Sequence, residues 1–366
     1  MFQNCISLTT APALPATTLV DYCYQSMFQN CSSLNYIKAL FTTTPSTSYT
    51  QNWVSGVAST GTFVKADAAT WNVTGTNGVP NGWTVVTLAE SLAIPGEFSV
   101  SSTKKVKFAK GNLQATYNGS SWTWKFANHQ WDYVGSAAAN TSINGDGTVS
   151  SNGTVDLFGW VGASSTWTGV AMYGISNSTS LNNTDTYGND ASESLKADWG
   201  TIPGVISACG DGWYTLSSDE WNYVISDRIS GATVNGTPNA RYTEATINTD
   251  GTGVNGVILF PDGVTIAAGE ATWGAINNTS DWATKCTTAQ WSALESKGCV
   301  FLPAAGYRGG TSVGSVGSFG YYWSSTPDSS LDGFAYNVYF CSGNMNSRSS
   351  YMRFCGFSVR LAREMN

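Results

Sequence analysis

The sequence predicts an α+β protein in which strands predominate, and three observations carry that prediction. Segments such as Tyr336–Cys341 and Phe357–Leu361 alternate with period two, as strands with one buried face do. Gly, Asn, Ser and Pro interrupt the chain at short intervals, which is turn chemistry. Helix signals are confined to two short stretches. In the first, Ser217 and Glu220 form a capping box ahead of Trp221, Val224 and Ile225. In the second, Thr287 pairs with Gln290, Trp291 and Leu294 face inward, and Gly298 stops the helix.

At 366 residues the chain can hold two or three domains and a sizeable core. Charged residues make up 11% of it, where about a quarter is usual. Gly, Ser, Thr and Asn fill the difference, the profile of a loop-rich extracellular protein. The net charge is -7, and basic residues cluster only at Lys104, Lys105 and Lys107, which argues against nucleic acid as a partner. No apolar run approaches the roughly 20 residues of a membrane helix. Eight cysteines form no CxxC pair and no zinc spacing; free thiols are expected, with Cys341–Cys355 or Cys286–Cys299 as the alternative disulfides.

In chain order, MFQNCISL at 1–8 returns as MFQNCSSL at 27–34, an offset of 26 residues on the scale of a solenoid repeat. Together with LPATTL and CY between the copies, the wording resembles the leucine-rich repeats of BspA-like bacterial surface proteins. Residues 1–45 are expected to be a fragment of such an array, and since Met1 stands inside a repeat, the natural amino terminus is expected elsewhere. Phe41–Tyr49 reads as a linker, and residues 46–93 as that linker plus a small β unit. SINGDGTVS at 142–150 has a faint calcium-loop pattern but lacks the acidic residue at its twelfth position, where Gly153 stands.

From residue 94 onward the phrases KGNLQ, WDYVG, DLFGW, GWYTLSSDEW, VFLPAAGYR, GYYWSST and GFSVRL occur in order. Together they resemble the C-type-lectin-fold domain of the variable proteins of diversity-generating retroelements, a fold shared with the formylglycine-generating enzymes. The resemblance implies a mixed twisted β-sheet with two short helices and long loops over 94–366. It also implies a variable region at about 322–355, where adenine-directed mutation turns Asn codons into Ser, Tyr, Asp, Phe, Cys, Gly or Arg. Asp328, Ser329, Ser330, Asp332, Phe334, Asn337, Tyr339, Cys341, Asn344, Asn346, Ser347, Arg348, Ser349, Ser350, Tyr351, Arg353, Phe354 and Cys355 are Asn or reachable from it. All but Cys355 form the expected ligand-binding set.

The composition of this segment supports the same reading without the resemblance. Aromatics supply rigid contact area, Ser and Asn adaptable hydrogen bonds, and Arg348 and Arg353 forked donors, as in a paratope. Inward Val338, Phe340, Phe357 and Val359 are expected to hold the backbone while the outward positions vary. His129 is the single histidine, and GxSxG, HExxH and phosphate-loop motifs are absent, so catalysis, cofactors and metals are not expected. The expected function is recognition of a protein or glycan on a cell or phage-host surface, by a protein placed outside the cell, at its surface or on a virion tail. The alternatives are an undiversified adhesin and a pilus or surface-layer component. Neither EPN nor QPD occurs, so calcium-type sugar binding is not expected.

Overall fold

In the computed structural model, residues 2–143, 153–160, 175, 197–249, 251–331 and 333–365 are described. The chain divides into two compact units, Met1–Leu92 and Ala93–Asn366, each with its own core.

The first unit is a stack of coils. Its spine is a parallel ladder of three short strands, Tyr36–Ala39, Thr62–Lys65 and Thr84–Thr87, extended at one end by bridges from Thr10 to Tyr36 and from Leu14 to Ala39. Backbone hydrogen bonds join equivalent positions of successive coils: Phe2 N to Met27 O (3.0 Å), Phe28 N to Trp53 O (2.8 Å) and Asn30 N to Ser55 O (2.7 Å). Side chains repeat the same offset, with Asn30 donating to Asn4 (3.0 Å) and the amides of Gln3 and Gln29 paired at 2.9 Å.

This corrects the expectation that a linker and a separate β unit begin near residue 46. WVSGV at 53–57 repeats the turn made by MFQNC at 27–31: Asn4, Asn30 and Gly56 all occupy positive φ, at 63°, 61° and 74°. Asn tolerates that conformation and Gly is free in it, so the coil persists after its wording has changed. Phe41, within the expected linker, is fully buried, and with Phe28, Trp53, Phe63 and Trp71 it forms an aromatic column through the unit.

The second unit is mixed α+β and rich in strands. One four-stranded sheet has the order Phe98–Ser99, Lys105–Phe108, Leu361–Glu364, Trp213–Thr215, so the last strand in sequence lies inside it. Another has the order Thr284–Thr287, Tyr242–Thr249, Thr252–Leu259, Val300–Pro303. A three-stranded sheet joins Trp122–Phe126, Leu113–Tyr117 and Gly153–Val155. Both capping boxes form as expected: Ser217 caps a helix at Ser218–Asn222 that continues as a π turn over Tyr223–Asp227, and Thr287 caps the Thr288–Ser296 helix, with Gly298 beyond its end at φ 92°. A further helix, Pro203–Cys209, was not expected; Pro at its first position and Gly210 after its end are the usual marks of such a segment. All eight cysteines are free thiols. Most of the calcium-like loop, residues 144–150, lies outside the described residues.

Four arginines are nearly or wholly buried: Arg228, Arg308, Arg353 and Arg360. Arg360 makes its hydrogen bonds to neutral oxygens, those of Asn112 (2.9 Å), Gln130 (3.1 Å), Ala109 (3.1 Å) and Phe301 (2.8 Å). It thereby ties the GFSVRL segment to three other parts of the unit. Burial pushes its pKa down to about 10, so the guanidinium stays charged at neutral pH.

Candidate functional site

The three-stranded sheet Phe319–Pro327, Phe334–Cys341, Asn344–Met352 carries the predicted site. Its inner face is apolar. Tyr322, Val338 and Phe340 are fully buried, with Phe340 stacked 6.0 Å from Tyr322 and edge-on to Trp282 at 6.3 Å. Gly320 lies directly under the Phe340 ring, where a Cβ would come within 2.0 Å of it. Of these inward residues, Val338 and Phe340 are the ones the period-two pattern selected.

The outer face has two halves of different character. Over one half lies the segment 156–160. Phe158 and Phe357 exchange both backbone hydrogen bonds (2.8 and 2.9 Å), Trp160 N donates to Arg353 O (2.7 Å), and the Trp160 indole donates to Ser324 O (2.8 Å). The Arg353 guanidinium lies 4.6 Å above the Trp160 ring and donates through Nε to Phe334 O (2.8 Å). This cover explains why several predicted contact residues are inaccessible. Asn337 and Arg353 are each 1% exposed, and Phe354 and Cys355 are also buried. Asn337 spends its amide on Ser349 O (3.2 Å), inside the sheet. Burial pushes the Cys355 thiol up to about 12, which keeps it protonated.

Asp328 is a further correction: it is buried at the start of the turn between the first two strands. Its carboxylate accepts from Ser330 N (2.9 Å) and from the hydroxyls of Ser330 (2.6 Å) and Ser350 (2.5 Å), so it shapes the turn. Burial alone would raise its pKa, but these hydrogen bonds bring it below the ordinary aspartate value. Asp332 lies outside the described residues.

The other half of the outer face is partly exposed around a buried centre. Tyr321 is its hub, with ring centroids of Tyr339 at 5.0 Å, Tyr307 at 5.8 Å, Tyr351 at 5.9 Å and Phe319 at 6.3 Å. Tyr339 and Tyr351 are half-buried, Asn344 and Asn346 exposed, and Cys341 and Ser349 intermediate. The Tyr339 hydroxyl donates to Cys341 Sγ at 3.1 Å, and burial followed by that bond pushes its pKa up to about 12.

A bulge in the edge strand splits the predicted set again. Tyr339 pairs with Asn346 and Asn337 with Ser349, so Ser347 and Arg348 together oppose Val338. Arg348 is exposed, yet it turns to the inner side and pairs with Asp219; Ser347 donates to Asn222 (2.7 Å). Ser350 turns the same way, to Asp328. Ser329 and Ser330 are exposed on their turn and Phe334 is half-buried. Sequence reasoning missed the framework partners Asp219, Asn222 and Asp281, the last of which accepts from Ser342 at the hairpin tip. It also missed the aromatics Tyr307, Phe319 and Tyr321.

His129 is exposed, stacked 4.6 Å from Trp131 and within 3.1 Å of the Asp132 carboxylate. With Tyr133 and Thr288 these residues border an open cavity of about 660 Å³ on a different part of the unit. Among the described residues, no group of three or more His, Cys, Asp and Glu side chains could hold a metal, and no helix is long and apolar enough to cross a membrane.

Residues 271–362 match a family model described as a domain of unknown function, DUF8237. The match runs from before the Thr284–Thr287 strand through the whole candidate sheet. No curated protein and no solved structure matches the chain.

Proposed function

We propose that the second unit is a ligand-recognition module that acts by binding, with a C-type lectin fold, whose exposed sheet residues are diversified by a retroelement. The first unit is then a leucine-rich-repeat array of the BspA-like kind, and the whole protein is displayed outside a cell or on a virion. The observation that carries this reading is the contrast within the last hairpin. Val338 and Phe340 are fully buried, while Asn344, Asn346 and Arg348 are exposed and Tyr339, Ser349 and Tyr351 half-exposed. Substitution on such a surface usually moves stability by less than about 0.5 kcal/mol, so chemistry there can change while the scaffold persists.

The buried positions favour a second reading in part. Asp328, Asn337 and Arg353 are reachable from Asn but hold structure, as a fixed site in an undiversified adhesin would. Sequencing this gene from many members of one population separates the two. Under the first reading, Asn-reachable codons at 339, 344, 346, 349 and 351 vary far more than the rest of the unit, and a near-copy of the segment with AAC or AAT at those codons lies beside a reverse-transcriptase gene. Uniform silent drift with no such copy rejects diversification.

A further inference from the structure

We propose that the partly exposed half of the outer sheet face takes a neutral pyranose ring of a glycan, without a metal ion. This rests on the reading that the sheet is a recognition surface and names what that surface receives.

The floor is aromatic and partly independent of variation. Tyr307, Phe319 and Tyr321 precede the proposed variable region at about 322–355, and Tyr339 and Tyr351 stand within it. Tyr321, buried and stacked on Phe357 at 4.5 Å, supports the floor from beneath, and the partly exposed rings of Tyr307 and Phe319 remain whatever occupies 339 and 351. The face of a tyrosine ring carries the negative end of its quadrupole. The C–H bonds on the apolar side of a pyranose are weakly positive and flat enough to lie against it.

The polar groups around this floor are uncharged. Asn344 and Asn346 follow the outer side of the edge strand, opposite Cys341 and Tyr339, and Ser349 resumes that side after the bulge. Amides and hydroxyls both donate and accept, as each sugar hydroxyl does. Charge is directed elsewhere. Arg348 turns to the inner side and pairs with Asp219, and Asp281 at the hairpin tip is engaged by Ser342. None of the residues named on this face is basic, and the one carboxylate at its tip, Asp281, accepts a hydrogen bond from Ser342. Neutral hydroxyls on an apolar ring are the complement that remains.

Saturation-transfer NMR on the full chain in EDTA tests this, using methyl α-glucoside, methyl β-galactoside, methyl α-mannoside and N-acetylglucosamine as probes. Transfer to at least one sugar is expected, strongest at the C–H protons of one ring side. It should fall at least about tenfold in Tyr339→Ala and Tyr351→Ala, persist in Tyr351→Phe, which keeps the ring, and be unchanged in Arg348→Ala. Thermal unfolding of each variant checks that the fold is intact. Absence of transfer to all of the sugars, transfer that survives both alanine substitutions, or binding abolished by EDTA overturns the proposal. Such a failure leaves the diversification reading standing, because that is decided by codon variation; a gene without variation leaves a positive sugar result standing.

Discussion

Replacing Phe340 with alanine should unfold the second unit at markedly lower temperature, whereas replacing Asn346 should hardly move it. Phe340 is wholly buried between Tyr322 and Trp282, and Gly320 beneath it has no side chain with which to refill the space. Truncating a buried phenylalanine costs about 3–5 kcal/mol, and a site that cannot collapse lies toward the upper end. For a unit of this size about 2 °C of Tm is lost per kcal/mol, so a fall of roughly 6–10 °C is expected. Asn346 is exposed, and its side chain gives up only the bond it accepts from Arg348 N (2.9 Å), so its replacement should stay within about 0.5 kcal/mol, or ~1 °C. Gly320→Ala supplies an opposite perturbation: the added methyl overlaps the ring, and overpacking should cost about 1–3 kcal/mol. Scanning calorimetry of the full chain, following the transition of the second unit, reads all three. Equal losses for Phe340→Ala and Asn346→Ala would refute the division between holding and displaying residues.

Trp160→Ala should cost about 3–5 kcal/mol and open the covered half of the outer face, so that the amides of Phe158, residue 160 and Phe357, which bond across it, lose hydrogen-exchange protection; unchanged protection would mean that the Trp160 side chain is not needed there. Asp156 is wholly buried, and burial, opposed by bonds from Asn140 and from Val134 N, pushes its carboxyl up to about 6. An acid whose folded pKa lies above its unfolded value of about 3.9 stabilises most when protonated, so this contribution is present below pH ~4 and lost as pH rises through 6, amounting to about 3 kcal/mol. Urea titrations from pH 4 to 7.5 should show that fall in the parent and not in Asp156→Asn; parallel curves would contradict it. In thiol titration of the native protein, Cys5 and Cys23 should react first and Cys341 more slowly, with Cys31, Cys209, Cys286, Cys299 and Cys355 reacting only on unfolding; early reaction of Cys355 would place it at the surface.

What could be read from the sequence was local. Capping boxes act over three residues, so Ser217 with Glu220 and Thr287 with Gln290 announced their helices. Period-two alternation announced the burial of Val338 and Phe340. The continuation of the coils past residue 46 was legible in retrospect: WVSGV keeps the hydrophobic, polar and turn positions of MFQNC, but none of its five residues is the same. The burial of Asn337 and Arg353 was not legible. It depends on a bulge that resets the register and on Trp160, which is nearly 180 residues away in sequence from the strand it covers. The buried arginines were hidden for the same reason. Arg360 looks like an outward residue in an alternating strand, and only the carbonyl and amide oxygens gathered around it make its burial tolerable.

Leu361–Glu364 pairs on both edges, with Lys105–Phe108 and with Trp213–Thr215. The keystone of that sheet is therefore made by the ribosome after the hairpin has been translated. A reading frame broken anywhere between 322 and 355 never delivers it, and two strands made much earlier are left without their common neighbour. A substitution there that keeps the frame still supplies the strand; a loss of frame yields a chain that cannot close this sheet. The order of synthesis thus makes the closure of this sheet depend on translation through the whole hairpin.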